Sequence, residues 1–287
     1  MELILAKTAG FCFGVARAVR MVEDALDAGR RVCTLGPIIH NNAMVESLRA
    51  RGVRIIDTPE QAQPGELVVL RSHGVEPDVC ARLSQKNVEY LDGTCPFVSK
   101  IHKIVINASS KGDTIILVGD ACHPEVRATL SRCTSPVYCI KTPEEAERLF
   151  GDHPELRGNA VTLLAQTTAS KENFKRIEKF TKMVCTNLRI FDTICEATAE
   201  RQKEAAELAQ TVDRMLVIGS AESSNTRKLL EICRAYCPSY LVERAEDVPF
   251  EQLKGCSRIG VTAGASAPVF IIKEVQETCV MNCGMQK

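Results

Sequence analysis

The stretch TAGFCFGVARA (residues 8–18) places Cys12 where a short apolar run gives way to a helical pattern. One helix length of sequence follows this cysteine, FGVARAVRMVEDALDAG, and ends in glycine. Segments of the same length follow two further cysteines, PFVSKIHKIVINASSKG after Cys95 and EATAERQKEAAELAQTV after Cys195. A recurring unit of this kind indicates an internal structural repeat, and the repeat decides how the rest of the sequence is interpreted.

The spacing inside the three repeats is constant at two further positions. A glycine ends a strand-like run 24 residues after each cysteine: Gly36, Gly119 and Gly219. A polar residue lies 28 residues after each cysteine: His40, His123 and Ser223. A later strand of each repeat also ends in a polar residue, at a more variable distance: His73, Thr167 and Ser266.

Short runs rich in Val, Ile and Leu alternate with amphipathic helical stretches along the whole chain, which is typical of parallel α/β layers. Nine runs are predicted strands: LILA, RVCTLG, LVVLR, VEYLD, TIILVG, AVTLLAQ, LRIFD, MLVIG and RIGVTAG. We predict three tandem α/β units, residues 1–94, 95–194 and 195–287, with mainly parallel sheets and a C-terminal tail in the last unit. Ligands of such sheets bind beyond the carboxyl ends of the strands. The repeat therefore predicts a pseudo-threefold, trefoil-like arrangement of the units around one centre.

Composition excludes several classes of partner. The 287 residues contain 36 basic and 36 acidic side chains, so the overall charge attracts neither nucleic acid nor an anionic membrane. The longest apolar runs are much shorter than the roughly 20 residues that span a bilayer. Fourteen cysteines with no secretory signal predict a cytoplasmic protein whose cysteines are mostly buried, with a few binding metal.

The three repeated cysteines are the candidate metal ligands. Three thiolates at one centre suit either zinc together with a histidine, or an iron–sulfur cluster with one open iron. Both are favoured by helix N-termini, whose dipole stabilises a thiolate. A finger-type zinc site is disfavoured because no local CxxC or CxH spacing is present. The alternative, that these cysteines only pack in the core, leaves the repeat unexplained.

The residues around the predicted centre suit a phosphate-like anion. Histidines, hydroxyl side chains and glycines dominate the segments LGPIIHNN, VLRSHG, VGDACHPEV, AQTT, IGSAESSNT and TAGASAP. Ser223, Ser224 and Asn225 begin a predicted helix, where they can cap it or donate to an anion. Glu125 is the carboxylate inside a repeat element; we interpret it as a proton donor, the alternative being an exposed helix-start glutamate.

The motifs resemble those of one known family from about residue 3 to residue 275. They are GFCFGV.RA, GPIIHN, RSHG, D.TCP.V, HPEV, AQTT, TIC.AT..RQ, GS..SSNT and GVTAGASAP. They resemble the 4-hydroxy-3-methylbut-2-enyl diphosphate reductases, the IspH (LytB) family. The resemblance implies the last step of the methylerythritol phosphate pathway. In that step two electrons and protons remove the allylic hydroxyl, giving isopentenyl and dimethylallyl diphosphate.

The resemblance also implies the cofactor and the roles of residues. A 4Fe–4S cluster would be held by Cys12, Cys95 and Cys195, with one open iron for the substrate hydroxyl. Glu125, Thr167 and His123 would form the catalytic group, with Glu125 as the proton source and Thr167 positioning the hydroxyl. The diphosphate would be bound by His40, His73, His123, Ser223, Ser224, Asn225 and Ser266. Ferredoxin or flavodoxin would supply the electrons.

Two other functions compete with this interpretation. A quinolinate-synthase-like 4Fe–4S dehydratase also uses three cysteines from three units, but it acts on carboxylates and would need cationic partners for them. A non-catalytic iron–sulfur sensor would have no need of a polar ring with an aligned carboxylate.

Overall fold

The computed structural model describes residues 1–283. Strands are short, three to six residues, and each is followed by a helix or a turn. In chain order the strands are β1 (Glu2–Leu5), β2 (Arg31–Leu35), β3 (Arg54–Ile56), β4 (Glu66–Leu70), β5 (Tyr90–Asp92), β6 (Thr114–Val118), β7 (Val137–Ile140), β8 (Ala160–Ala165), β9 (Asn187–Phe191), β10 (Arg214–Ile218), β11 (Ser239–Val242) and β12 (Arg258–Ala263).

Helices connect these strands throughout the described part of the chain. They are α1 (Phe13–Asp27), α2 (Asn42–Ala50), α3 (Pro77–Gln85), α4 (Pro96–Ser110), α5 (Pro124–Leu130), α6 (Pro143–Asp152), α7 (Lys171–Val184), α8 (Glu196–Ala209), α9 (Ser224–Arg234), α10 (Phe250–Leu253) and α11 (Val269–Cys283). Short 3-10 helices occur at Pro59–Gln61, Pro154–Arg157 and Ala245–Asp247. No helix in residues 1–283 has the length and apolar character that a membrane crossing requires.

The strands form three sheets of four strands each, and every strand pair is parallel. Sheet 1 has the order β3-β2-β4-β5, sheet 2 the order β7-β6-β8-β9, and sheet 3 the order β11-β10-β12-β1. The predicted α/β class with parallel sheets is therefore confirmed. Parallel sheets need coverage on both faces, and the inner strands β4 and β6 are buried along their whole length.

The three sheets have the same internal order. In each, an outer strand (β3, β7 or β11) pairs with a leading inner strand (β2, β6 or β10). A trailing inner strand (β4, β8 or β12) comes next, and a last strand (β5, β9 or β1) closes the sheet. The last strand is always the one that precedes a repeated cysteine: Cys95 after β5, Cys195 after β9 and Cys12 after β1.

Strand β1 lies in sheet 3, whose other strands, β10, β11 and β12, come from the far end of the chain. Its residues pair with β12, for example Leu3 with Ile259 and Leu5 with Val261. The division of the chain after residues 94 and 194 stays a prediction. Strands β2–β5 and β6–β9 each keep to one sheet within that division, whereas β1 joins the strands that follow Cys195.

The chain divides into two compact units. The terminal unit consists of residues 1–19, residues 39–52 and the chain from Glu196 onwards, and it contains sheet 3. The middle unit consists of residues 20–38 and 53–195, and it contains sheets 1 and 2. Each unit has its own core; in the middle unit Phe150 and Phe174 are fully buried. Burying a side chain of that size contributes roughly 1.5–3 kcal/mol.

All nine predicted strands are present, and the structure adds the three outer strands. One hydrogen bond recurs where each outer strand ends, with the repeated glycine donating its amide to the outer strand's last carbonyl. The pairs are Gly36 to Ile56 (2.7 Å), Gly119 to Ile140 (2.8 Å) and Gly219 to Val242 (3.0 Å). The constant spacing of these glycines in the sequence thus corresponds to a constant position in the fold.

Candidate active site

The three repeated cysteines occupy equivalent places. Each is half-buried, follows the last strand of a sheet and precedes a helix of 14 or 15 residues. The amide of each cysteine donates to the carbonyl two residues beyond a trailing inner strand: Cys12 to Ala265 (3.2 Å), Cys95 to Ser72 (3.0 Å) and Cys195 to Thr167 (3.0 Å). Each thiol is therefore held against the carboxyl end of its sheet, at the positive end of a helix dipole.

Two of the repeated glycines, Gly119 and Gly219, let a second helix approach a strand end closely. A Cβ atom at Gly119 would lie 3.1 Å from Cγ2 of Val126, and one at Gly219 would lie 2.7 Å from Oγ1 of Thr226. Val126 and Thr226 lie in the first turns of α5 and α9. Glycine is needed here because any side chain would push the helix N-terminus away from the sheet edge.

The carboxylate predicted to act as a proton donor lies in the core of the middle unit. Glu125 is in the first turn of α5, as the sequence predicts, but it is only 2% exposed. Oε1 accepts the amide of Thr167 (2.7 Å) and Oε2 accepts its hydroxyl (2.5 Å). Burial raises the pKa of Glu125 more than these two hydrogen bonds lower it. Glu125 therefore holds its proton more tightly than an exposed glutamate does.

Two predicted histidines lie beside this carboxylate. His123 caps α5, and its Nδ1 accepts the backbone amide of Glu125 (3.2 Å). This bond requires an unprotonated Nδ1, so a neutral His123 carries its proton on Nε2. The ring of His73 packs edge-on against that of His123, with centroids 5.2 Å apart. The middle unit thus brings together Glu125, Thr167, His123 and His73 at the carboxyl ends of β4, β6 and β8.

His102 lies beneath the turn that carries His73, and no sequence motif marks it as a site residue. It is buried on α4, and a Cβ atom at Gly74 would lie 2.8 Å from its Cε1. The turn that carries His73 therefore rests on the His102 ring. Burial, and secondarily the charge of Arg132, lower the pKa of His102 to about 4. The sequence contains no signal for this contact, because only the fold brings α4 beneath Gly74.

The terminal unit carries the predicted hydroxyl and amide donors. Ser223 caps α9, accepting the amide of Thr226 (3.3 Å), and Ser224 is the first residue of the helix. Asn225 is only 3% exposed, and its Oδ1 and Nδ2 have no hydrogen-bond partner among residues 1–283. A buried amide without partners is costly, and an anion at a helix N-terminus is the ligand its NH₂ group suits.

Two more predicted residues meet within the terminal unit. The hydroxyl of buried Ser266 donates to the backbone carbonyl of His40 (3.0 Å). Ser266 follows Ala265, the residue whose carbonyl accepts the Cys12 amide. The loop after β12 therefore contacts both the segment that carries His40 and the segment that carries Cys12.

The donor set suits an iron–sulfur cluster. Cysteine thiolates are the usual protein ligands of such clusters, and helix N-terminal amides can donate to cluster sulfurs. The chain offers a thiol at the same place in each of three repeats. Cysteine occupies this place in all three repeats, with no histidine or carboxylate residue in any of them. The role of each site residue stays a prediction.

Comparison with known proteins gives consistent matches over nearly the whole chain. The family model described as LytB protein matches residues 3–279. A 4-hydroxy-3-methylbut-2-enyl diphosphate reductase of Geobacter sulfurreducens is 42% identical over 278 residues, with 96% of each chain covered. The reductase of the same description from Caldanaerobacter subterraneus is 42% identical over 283 residues, again with 96% of each chain covered.

Two solved structures share the fold. One is (E)-4-hydroxy-3-methyl-but-2-enyl diphosphate reductase, described as the terminal enzyme of the non-mevalonate pathway. It aligns with a TM-score of 0.70 and 36% identity over 98% of this chain and 100% of its own. The other is the E-1-hydroxy-2-methyl-but-2-enyl-4-diphosphate reductase from Plasmodium falciparum. It aligns with a TM-score of 0.89 and 25% identity over 99% of this chain and 91% of its own.

Proposed function

Since this chain belongs to the LytB protein family, we propose that it is a 4-hydroxy-3-methylbut-2-enyl diphosphate reductase. The reaction consumes the allylic alcohol, two electrons and two protons. The C–O bond to the hydroxyl breaks, a C–H bond forms, and water leaves. Isopentenyl and dimethylallyl diphosphate are the products, according to which carbon of the allyl group receives the proton.

The enzymes of this family are iron–sulfur proteins. We propose a 4Fe–4S cluster held by Cys12, Cys95 and Cys195, with one iron left without a protein ligand. When bound, this cluster supplies electrons and a Lewis-acid site for the departing hydroxyl. The equivalent settings of the three thiols support this assignment.

The observation that carries the proposal is the buried group Glu125–Thr167–His123. The reaction needs a proton at a site from which water is excluded, and burial raises the pKa of Glu125, which favours its protonated form. Thr167 fixes the orientation of the carboxyl through its amide and hydroxyl, and this hydroxyl is also available to the substrate's hydroxyl. His123 offers Nε2–H as a donor.

The remaining predicted residues bind the diphosphate in this proposal. Ser223, Ser224 and Asn225 present hydroxyl, amide and backbone donors at the N-terminus of α9, and that end of a helix attracts negative charge. His40, His73 and His123 add ring donors, and Ser266 adds its hydroxyl once this exchanges the His40 carbonyl for the diphosphate. Fixing the diphosphate fixes the allyl group, so that the hydroxyl, the proton donor and the electron source act on one held substrate.

The electron donor and the cellular compartment belong to the proposal as well. The reaction needs two electrons from outside the chain, and we propose a small carrier protein such as ferredoxin or flavodoxin. Fourteen cysteines suit a reducing compartment, so we place the protein in the cytoplasm.

An anaerobic Mössbauer spectrum of iron-57-reconstituted protein, with and without 4-hydroxy-3-methylbut-2-enyl diphosphate, tests the proposal. We expect the parameters of one iron out of four to change when the substrate is added. A cluster indifferent to the substrate contradicts the reductase function. Absence of iron after careful reconstitution contradicts the cluster itself.

A further inference from the structure

The loop that leads to Cys12 is built differently from the loops to the other two repeated cysteines. Between the last strand and the helix, the loops to Cys95 and Cys195 are short, and an aspartate lies at the junction of strand and loop in each. In each, the aspartate Oδ1 accepts the amide two residues later: Asp92 from Thr94 (2.9 Å) and Asp192 from Ile194 (3.4 Å). These Asx-type turns hold the chain just before the cysteine.

The Cys12 loop, residues 6–12, has seven residues and contains neither aspartate nor asparagine. Backbone bonds hold its two ends, since Ala6 donates to Val261 (2.8 Å) and Cys12 donates to Ala265 (3.2 Å). The middle of the loop lies outside any sheet or helix, so its polar backbone groups need partners from elsewhere in the fold.

Two charged side chains of α8 supply those partners. Glu204 accepts the amides of Lys7 (2.7 Å) and Thr8 (2.9 Å) and the Thr8 hydroxyl (2.5 Å). Arg201, one turn earlier on the same helix, donates to the carbonyl of Thr8 through Nε (3.0 Å) and Nη2, and to that of Gly10 through Nη2 (2.8 Å). We call this pair of side chains the α8 clamp.

The clamp is well suited to fix a backbone. Arg201 is only 4% exposed, and bonds from an ionised donor or to an ionised acceptor are stronger than those between neutral groups. The two side chains bind complementary backbone groups, since Glu204 accepts hydrogen bonds from amides and Arg201 donates hydrogen bonds to carbonyls. Gly10, the last residue held, has a φ of +111°, a conformation that other residues rarely adopt, and it lies two residues before Cys12.

We propose that Arg201 and Glu204 are positioning residues for Cys12, doing for this thiol what the aspartate turns do for Cys95 and Cys195. The proposal rests on the proposed function in taking Cys12 as a cluster ligand. Metal ligands must lie within a few tenths of an ångström of their ideal distance, so a loop of seven residues needs such restraint. The clamp also lies on the helix that directly follows Cys195 in the chain.

The test compares R201Q, R201K and E204Q with two controls on the same helix. Lys203 and Glu207 form an exposed ion pair (3.8 Å), so K203Q and E207Q remove a charge from α8 without touching the Cys12 loop. The cluster-free protein is alkylated with iodoacetamide, and mass spectrometry follows Cys12, Cys95 and Cys195 separately. We expect Cys12 to react about tenfold faster in R201Q and E204Q, as the loss of a charged hydrogen bond implies. Cys95 and the control variants should stay near the wild-type rate.

A second readout follows the reconstituted protein, whose iron should be lost to a chelator faster in R201Q and E204Q than in K203Q. R201K retains the charge but loses the planar fork, and we expect an intermediate Cys12 rate. Equal changes at Cys12 and Cys95, or no change at Cys12, would overturn the proposal. If R201Q does not fold, R201K and E204Q carry the same comparison. If no variant and no wild-type protein binds a cluster, the proposed function fails, while the alkylation rates still decide whether the clamp positions Cys12.

Discussion

Thr167 binds both oxygens of one buried carboxylate, with its amide nitrogen 2.7 Å from Oε1 of Glu125 and its hydroxyl oxygen 2.5 Å from Oε2. The amide of Cys195 donates to the carbonyl of the same threonine (3.0 Å). One residue thus contacts the proposed proton donor on one side and a proposed cluster ligand on the other. This arrangement couples the orientation of the acid to the site at which electrons would arrive.

Replacing the acid by its amide tests whether Glu125 delivers a proton. Glu125→Gln keeps the volume: its amide oxygen can still accept the Thr167 amide and its NH₂ group can donate to the Thr167 hydroxyl oxygen, but it cannot donate a proton at neutral pH. We expect kcat to fall by about 10² to 10⁴, the usual contribution of a general acid, with little change in substrate affinity. Steady-state kinetics with a chemical reductant measures both quantities.

The matched control is Glu144→Gln, since Glu144 is an exposed glutamate in the first turn of α6. It should leave kcat unchanged. A glutamine at position 125 that retains more than about half of the wild-type kcat would remove Glu125 from the mechanism.

The hydroxyl of Thr167 should set the pH range in which Glu125 is protonated. Burial raises the pKa of Glu125, and the Thr167 hydrogen bonds oppose this by favouring the carboxylate. The acid must be protonated to act, so kcat falls as pH rises through this pKa. Thr167→Val removes the hydroxyl bond, which raises the pKa further and moves the alkaline limb of the kcat profile to higher pH.

The same substitution should lower the maximum of the kcat profile by about tenfold, because the carboxyl loses its orientation. Thr168→Val is the control, since the Thr168 hydroxyl accepts a hydrogen bond from Nε2 of Gln166 (3.0 Å). An alkaline limb that stays in place or moves to lower pH in T167V contradicts the assignment of that limb to Glu125.

The unpartnered amide of Asn225 should lower the free energy of unfolding when no ligand is present. Binding of an anion should raise that free energy again. Its buried amide has no partner among residues 1–283. Asn225→Leu replaces it by an apolar group of similar size, which should raise the free energy of unfolding by about 1–2 kcal/mol. The variant should also lose the rise in Tm that inorganic diphosphate gives the wild-type protein.

Differential scanning fluorimetry with and without diphosphate measures both effects. Asn107→Leu, on the exposed side of α4, is the control and should alter neither value. A leucine variant that is less stable without ligand would mean that Asn225 has a structural role instead.

The sequence predicts most of the fold, because the inner strands have continuous apolar runs and the cysteine–glycine spacing repeats. The outer strands β3, β7 and β11 are not among the predicted strands. Each has only three or four residues, lies at a sheet edge and is incompletely buried, so the local signal for a strand is weak. Their existence follows from pairing with a neighbour, which a local pattern does not encode.

Some features of the candidate site could likewise be predicted from the sequence, and others could not. Residues at strand ends and helix starts, such as His123 and Ser223, could be predicted because caps and repeats have sequence signals. The contact of His102 with Gly74 could not, since it depends on which helix packs beneath which turn. Pairing of β1 with β12 likewise depends on a contact between residues more than 250 positions apart, of which the sequence carries no local trace.

The three repeated cysteines should differ sharply from the cysteines that pack in the core. Serine at Cys12, Cys95 or Cys195 should reduce bound iron per chain to less than about a tenth of the wild-type value, because thiolates are the ligands such clusters require. Cys133 is the control: burial raises the pKa of its thiol to about 11, which keeps it protonated. Cys133→Ser should retain its iron, and iron binding that survives in C95S would contradict the proposed ligand set.

His102 should make the protein sensitive to acid. Its pKa is about 4 in the folded chain, lowered by burial and by the charge of Arg132 against the opposing charge of Asp92, and about 6.5 when unfolded. Below pH 6.5 the unfolded chain therefore binds a proton at His102, whereas the folded chain leaves this ring neutral until the pH approaches 4. The contribution of His102 to the free energy of unfolding is fully present above pH 6.5. It is lost as pH falls towards 4, and the loss is on the order of 3 kcal/mol.

Urea unfolding between pH 7 and pH 4 measures this loss. His102→Leu removes the titrating ring, so the variant should lose less stability over this range than the wild-type protein does. His153→Leu is the matched control, since His153 is partly exposed and its ring bonds to Glu155 (3.1 Å). Equal acid sensitivity in H102L and the wild-type protein would mean that other groups govern the transition. A smaller loss in H102L, with H153L unchanged, would show that the buried neutral ring of His102 governs this part of the acid sensitivity.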